Sequence, residues 1–480
     1  MAEAGGTQRR PGYVLLLTTV CLGGVLAPLN STMLAVALPE LRESFSVGHA
    51  EIGWLVSAYL IAMAVAQPVG GRLGDQLGRA RVFQAGLVAF LAFSLAAAFS
   101  PEFWVLVLLR TGQALVGAAV IPNGMAMLRE SVPVRRLGFA GGLTGSAISI
   151  SAAAGPLIGS MLLAAGSWRW LFLMNAPLVA AALVSLALLR YPEKRGARAF
   201  SLDWAGALSF AALLVSVTFL LNSMRGGENV YLLAAAVISL LLSSALFLQR
   251  QVSSATPIAE WKLFRNRSYS AATSYILLSN LVMYTTLLTV PFFVQEVQGR
   301  GNAATGTLLA SMSVLMAVVS PLSGRISDGR GRRQPAVAGS VIMLAAVAAV
   351  LVGMDGDVSY VYLAAALTLL GLGLGLSFGA ASTAAVESAP RELAGAAAGT
   401  NSMMRYMGSI IGAGVLGAVL ASDAGAPGIG LFRLIFAVLT GAAALACLST
   451  VFIHRFPPER IAGQEAVVVP DAAGTAISSG

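Results

Sequence analysis

The chain has 480 residues, 57% of them hydrophobic and only 11% charged, with a mean hydropathy of +0.81. Soluble domains carry about 25% charged residues, so a water-soluble globular enzyme is excluded and lipid is the main solvent of the folded chain. The formal charge of +9, from 30 Lys and Arg against 21 Asp and Glu, would suit a nucleic-acid binder, but the placement of the charges gives it another meaning.

In chain order, about fourteen apolar runs have the roughly 20-residue length that crosses a bilayer as a helix. They are 13–38, 52–70, 82–99, 103–128, 138–165, 170–189, 204–222, 230–248, 269–295, 305–323, 336–354, 359–386, 393–421 and 431–453. The Gly-rich runs 138–165 and 359–386 could be divided, which leaves about thirteen to fifteen spans open. Helix is expected throughout, because lipid offers backbone groups no partner outside their own segment. The predicted class is therefore an all-α membrane protein. "RRPGYVLLL" at 9–17 begins a run too long for a signal peptide and without a small-residue cleavage site, so it reads as the first span. With the N-terminus inside, most Lys and Arg fall in cytoplasmic loops. Arg42, Arg169, Arg225, Arg300 and Arg433 lie outside, and Arg110 and Arg405 lie within spans. This is the positive-inside bias. The basic balance reports topology, no nucleic acid is called for, and an even span count puts both termini in the cytoplasm. The polar tail 456–480 is expected to be disordered.

The first run holds the polar string Pro28-Leu29-Asn30-Ser31-Thr32, where Pro28 loosens the helix beside Asn30. The fifth repeats small residues every fourth position, at Ala147, Ser151, Gly155 and Gly159, with Pro156 removing a backbone donor. Gly371, Gly375 and Gly379 in the twelfth run, and Gly408 and Gly412 in the thirteenth, form similar stripes. Such stripes let membrane helices approach closely. Arg110 has Gln113 one turn away, and Arg405 neighbours Asn401 and Tyr406. Intramembrane cations are costly and usually face a cavity or a polar partner. No acid falls deep in a span; Glu296 and Glu387 come nearest, at helix ends. Cys21 and Cys447 lie in separate runs, His49 and His454 lie at span ends, and there is no H-E-x-x-H pattern. No disulfide, metal, cofactor or enzymatic activity is expected.

"GRLGDQLGRAR" at 71–81 follows the second run and "GRISDGRGRR" at 324–333 follows the tenth, placing Asp75 and Arg79 in one copy and Asp328 in the other. Duplicated loops at equivalent points of two helical arrays are the mark of a transporter built from repeats. A six-helix repeat then leaves two extra helices between the halves, at 204–222 and 230–248.

These residues resemble the major facilitator superfamily. Gly71, Leu73, Asp75, Gly78, Arg79 and Arg81 match its cytoplasmic loop signature. "LNSTMLAVALP" and "WLVSAYLIAMA" resemble the first and second helices of its fourteen-helix drug:proton antiporter branch, and Arg110-x-x-Gln113 resembles the fourth-helix motif. "GPLIGSMLLAAGSWRWLFLMNAP" at 155–177 is similar to the antiporter motif and the entry to helix six. Ala114 and Ser160 stand where those motifs usually have Gly, and Asn30 stands where relatives commonly carry Asp.

The resemblance implies two six-helix bundles, 1–190 and 269–455, joined by two linker helices within 191–268. It implies a bacterial inner-membrane exporter of small drug-like or metabolite amphiphiles, a monomer in contact only with lipid, its substrate and coupling protons. The expected cavity is lined by Asn30, Tyr59, Arg110, Gln113, Asn123, Asn280, Tyr284, Asn401 and Arg405. Gating is expected of Asp75, Arg79, Gly155, Pro156, Gly159 and Asp328, the fifth-helix stripe sealing the two halves. Asn30 cannot carry a proton, which leaves Asp75, Glu296 and Glu387 as coupling carboxylates. A uniporter, or a flippase for lipid-like molecules, is the alternative.

Overall fold

A computed structural model describes residues 12–132, 134–189, 191, 204–223, 230–254, 261–390, 394–420 and 428–455. Its helices are α1 (Tyr13–Phe45), α2 (His49–Leu77), α3 (Arg79–Ala98), α4 (Phe103–Gly117), α5 (Val120–Ser131), α6 (Val134–Ala164), α7 (Trp170–Leu173) and α8 (Asn175–Leu189). They continue with α9 (Trp204–Ser223), α10 (Val230–Ser253), α11 (Arg267–Phe292), α12 (Asn302–Arg330), α13 (Arg333–Gly353), α14 (Tyr360–Glu387), α15 (Ala394–Leu420) and α16 (Ile429–Thr450). No strand occurs among the described residues. Eleven helical stretches there are long and apolar enough to cross a membrane; α4 with α5, and α7 with α8, each count as one. Most are apolar on every side, as helices that pack on one face and meet lipid on the other must be.

Helices α1–α8 pack on one another, as do α11–α16, and the two sets meet along α6 with α12, α2 with α15, and α1 with α11. Helix α9 lies across α2 and α15, and α10 rests on α9.

The duplication read from the two Gly/Arg loops reappears as geometry. Gly78 and Gly331 end α2 and α12 with φ of 103° and 91°, a conformation that only glycine takes without strain. Their amides cap the carbonyls of Gly74 and Ser327 at 3.1 and 3.0 Å. The next residue in each copy is an arginine that reaches the last turn of the fourth helical stretch of its own set. Arg79 meets Glu130 of α5 at 3.4 Å, and Arg332 meets Glu387 of α14 through two bonds of 3.0 and 2.8 Å.

Close helix approach is duplicated too. A side chain on Gly155 of α6 would collide with Thr32 of α1, and one on Gly412 of α15 would collide with Thr285 of α11. Gly159 likewise faces the Met33 carbonyl of α1. The fifth-helix stripe therefore packs inside its own half, whereas the sequence reading set it between the halves. The seam between halves is made one ridge over, where Pro156 and Ser160 of α6 press on Gly306 of α12. Gly371 and Gly375 face the backbone of α12, but Gly379 has no neighbour within 4 Å.

Candidate functional site

Ser31 on α1 and Tyr284 on α11 share a hydrogen bond between their hydroxyls, across 253 positions of sequence. The same offset separates Gly78 from Gly331 and Arg79 from Arg332. Equivalent residues of two repeats can touch each other only near the axis that relates the repeats, so this bond marks the centre of the molecule.

Arg110 lies beside it. The side chain is 1% exposed, and its charge has no carboxylate partner among the described residues. One terminal nitrogen donates to the Asn30 side-chain oxygen and, at 2.8 Å, to that of Gln113. The other donates to the Asn30 backbone carbonyl at 3.3 Å. The guanidinium lies over the Tyr59 ring at 4.1 Å and 5.8 Å from the Phe172 ring, so π faces supply the electron density that an acid would otherwise supply. The local sequence explains the placement. Arg110 and Gln113 are one turn apart on α4, and Asn30 is carried by α1, which passes Pro28 without breaking.

An arginine can only donate, so both amide oxygens must face it. That turns the amide nitrogens of Asn30 and Gln113 away, and neither has a partner. The Arg110 Nε and the Tyr59 hydroxyl are also buried without partners. Buried polar groups are nearly always satisfied in native proteins. Three N–H donors and one hydroxyl are thus left unpartnered around one cation. Elsewhere on α11, the hydroxyls of Thr285, Thr286 and Thr289 are buried and unpartnered as well, Thr285 facing Gly412 of α15.

The structure thus gathers Asn30, Tyr59, Arg110, Gln113 and Tyr284 at one centre. The other predicted cavity residues make separate contacts. Asn123 gives its amide to the Gly70 and Ala119 carbonyls at 2.8 Å each, which holds α5 against α2. Asn280 bonds its own helix at Ile276, and Asn401 bonds Ser382 of α14 at 2.9 Å. Arg405 is half-buried, with its guanidinium 5.2 Å from the Tyr406 ring. The side chains of Asp75 and Asp328 lie outside the described residues.

Both remaining carboxylates that the sequence offered are ion-paired. Glu387 holds Arg332, as above, and Glu296 meets Arg42 at 2.8 Å. The second pair joins α1 to the π-helical turn Phe293–Val297 that ends α11, so it spans the two halves. Asn302 of α12 reaches Glu40 of α1 at 3.3 Å beside it. These contacts close the halves together at the end of the bundle opposite the Gly78 and Gly331 turns.

Sequence reasoning passed over Ser31 and Phe172 as site residues. Ser31 and Tyr284 could have been found by applying the loop offset to the first span. The W-R-W-x-F-x-x-N-x-P string serves the site indirectly. Asn175 donates to Ser94 at 2.7 Å, and Ser94 donates to the Phe172 carbonyl at 2.9 Å, which fixes the ring beside Arg110.

Comparison with known proteins agrees with this architecture. The family model described as Major Facilitator Superfamily matches residues 20–413. The chain is 32% identical to the uncharacterized MFS-type transporter YvkA of Bacillus subtilis over 88% of its own length and 93% of that protein. It is 31% identical to the tetracenomycin C resistance and export protein of Streptomyces glaucescens, over 88% and 78%. It is also 31% identical to the multidrug resistance protein Stp of Mycobacterium tuberculosis, over 85% and 76%. Its fold is similar to that of a D-xylose–proton symporter, with a TM-score of 0.65 at 14% identity over 93% of this chain and 99% of that one. A family match over most of the chain, borne on two helical repeats around a polar centre, shows that this protein belongs to the major facilitator superfamily.

Proposed function

We propose that the protein exports neutral or anionic amphiphiles by alternating access, binding them at the Arg110 centre. The observation that carries this reading is the set of unpartnered N–H donors on Arg110, Asn30 and Gln113, beside which only the unpartnered Tyr59 hydroxyl could accept. A substrate bearing carbonyl, phenolate or carboxylate oxygens would complete those bonds, and charge-assisted bonds of this kind are the strong ones. A cationic substrate would meet like charge in a low-dielectric site, which costs several kcal/mol by order of magnitude. The likeness to an antibiotic export protein and to a multidrug resistance protein supports export of such molecules.

In this reading the chain has fourteen spans, the eleven already named together with α6, α9 and α15. Both termini face the cytoplasm of a bacterial inner membrane, and α9 and α10 stand apart from two six-helix bundles that rock about the Ser31–Tyr284 contact. The Arg42–Glu296 and Glu40–Asn302 contacts then close the outer side. Proton coupling would run through a helix-end carboxylate, and Glu296 suits it because its ion pair must break for the outer side to open. A second reading, transport without proton coupling, draws on the absence of a carboxylate at Arg110 among the described residues. Uptake of an anionic and a cationic drug into everted vesicles, with and without an imposed pH gradient, separates the readings. Gradient-driven uptake of the anion supports coupled export. Uptake of the anion indifferent to the gradient supports the second reading, and preference for the cation overturns the substrate assignment.

A further inference from the structure

A cavity of about 270 Å³ lies away from the Arg110 centre, between α9, α10, α15 and the 3-10 turn Trp261–Arg265. Its walls are Leu213, Phe247, Phe264, Met403, Met404 and Met407, an apolar lining to which α15 gives three flexible thioethers. Ligand sites for drug-sized molecules span about 300–1,000 Å³, so this one suits a single slender apolar group. Leu248 lines it and is 46% exposed on α10, whose neighbouring Leu241, Leu242 and Leu246 are more exposed still. The mouth therefore opens on the apolar outer face of the linker pair, where a membrane protein meets lipid.

The rim is cationic. Phe264 points into the cavity while Lys262 and Arg265, on either side of it in the same turn, are exposed. Arg250 sits in the last turn of α10, three residues beyond Phe247. From 249 to 268 the sequence holds Arg250, Lys262, Arg265 and Arg267 against a single acid, Glu260. An apolar slot with positive charge at one end matches one abundant component of a bilayer. We propose that the cavity binds an anionic phospholipid, with an acyl chain among the methionines and the headgroup on Lys262 and Arg265. The assignment rests on family membership and on this geometry; it does not depend on which substrate is exported.

The lipid would occupy a sensitive position. Helix α15 carries the cavity's methionines and also Asn401 and Arg405, and α9 spans α2 and α15 across the seam between halves. An acyl chain there would tie the linker helices to one half.

Native mass spectrometry of the purified protein tests the proposal, using phosphatidylglycerol and phosphatidylcholine with the same acyl chains. A basic residue near a headgroup contributes about fivefold in binding. Preferential retention of phosphatidylglycerol is expected, falling about 25-fold in the Lys262→Ala, Arg265→Ala double variant. The Arg265→Lys variant should keep most of it. Met404→Trp, which fills the cavity, should lower retention of both lipids. Size-exclusion profile and melting temperature report whether each variant is folded, and Arg265→Lys keeps the test open if the double variant is not. Equal retention of the two lipids, or an unchanged double variant, would overturn the assignment. So would displacement of the bound lipid by a transported drug in wild type that is abolished by Met404→Trp, since the cavity would then belong to the substrate.

Discussion

Replacing Asn30 with Asp tests the chemistry of the centre most directly. The substitution is nearly isosteric and keeps an oxygen facing Arg110, yet it introduces the negative charge that the guanidinium now lacks. Two effects follow. The buried ion pair neutralises Arg110, and the free amide donor of Asn30 disappears. A hydrogen bond to a charged group contributes about 1.5–3 kcal/mol. An anionic substrate bound through Arg110 should therefore lose about 10- to 150-fold in affinity, each 1.4 kcal/mol being tenfold. A lipophilic cation should gain, because the like charge it met has been cancelled. Efflux of ethidium and of an anionic drug from cells expressing each form would measure the exchange. The unmodified protein should favour the anion and Asn30→Asp the cation. Robust ethidium export by the unmodified protein, undiminished in Asn30→Ala, would refute the reasoning.

The remaining expectations address coupling, conformation and packing. Neutralising Asp75 to Asn, Glu296 to Gln and Glu387 to Gln in turn should abolish the pH-gradient dependence of transport in at least one variant, Glu296→Gln first; full retention in all three would remove helix-end carboxylates as carriers. Ser31→Ala or Tyr284→Phe deletes the bond between the halves, and a neutral bond contributes about 0.5–1.5 kcal/mol. Spin-label distances across the two halves should then report a two- to tenfold change in conformer populations, by order of magnitude. Gly412→Ala forces a methyl against Thr285 and to 3.0 Å from the Leu281 carbonyl, and should lose about 1–3 kcal/mol of stability. Gly379→Ala meets nothing within 4 Å and should gain up to about 1 kcal/mol from helix propensity; melting temperatures compare the two.

The helical class, the duplication and the family were legible because lipid enforces them. A chain that must satisfy its backbone internally shows its helices as apolar runs, and a glycine with positive φ leaves a recognisable loop in each repeat. Asn30, Arg110 and Gln113 were legible for the same reason, since polar atoms in an apolar run need partners. Partner identity was harder to read. The residues at Asn123 and Asn280 have the same letter as Asn30, but their amides answer nearby carbonyls on the helices that carry or touch them. Which side an asparagine faces depends on the rotation of its helix, and runs apolar on all sides carry no phase from which to read it. The fifth-helix stripe failed similarly. Its spacing told that a helix packs closely there, and only the tertiary structure names α1 as the neighbour.

The duplication also bears on why one half carries the charge. Thr32 and Thr285 face equivalent glycines, Arg79 and Arg332 hold equivalent glutamates, and Ser31 meets Tyr284 on the axis. The scaffold is thus close to symmetric down to single contacts. The centre is not. The first repeat supplies Arg110 with two amides and two aromatic rings, and the second supplies Tyr284. On the proposed reading, a ligand held there would take its charged contacts from one half and a neutral one, through Tyr284, from the other. If the halves rock as proposed, the distance to Tyr284 would change while Arg110, anchored within its own half to Asn30 and Gln113, would keep its grip. Such a division would let a substrate stay bound through the switch and leave when the Tyr284 side withdraws, which a centre with equal charge on both halves would oppose by repulsion between two buried cations.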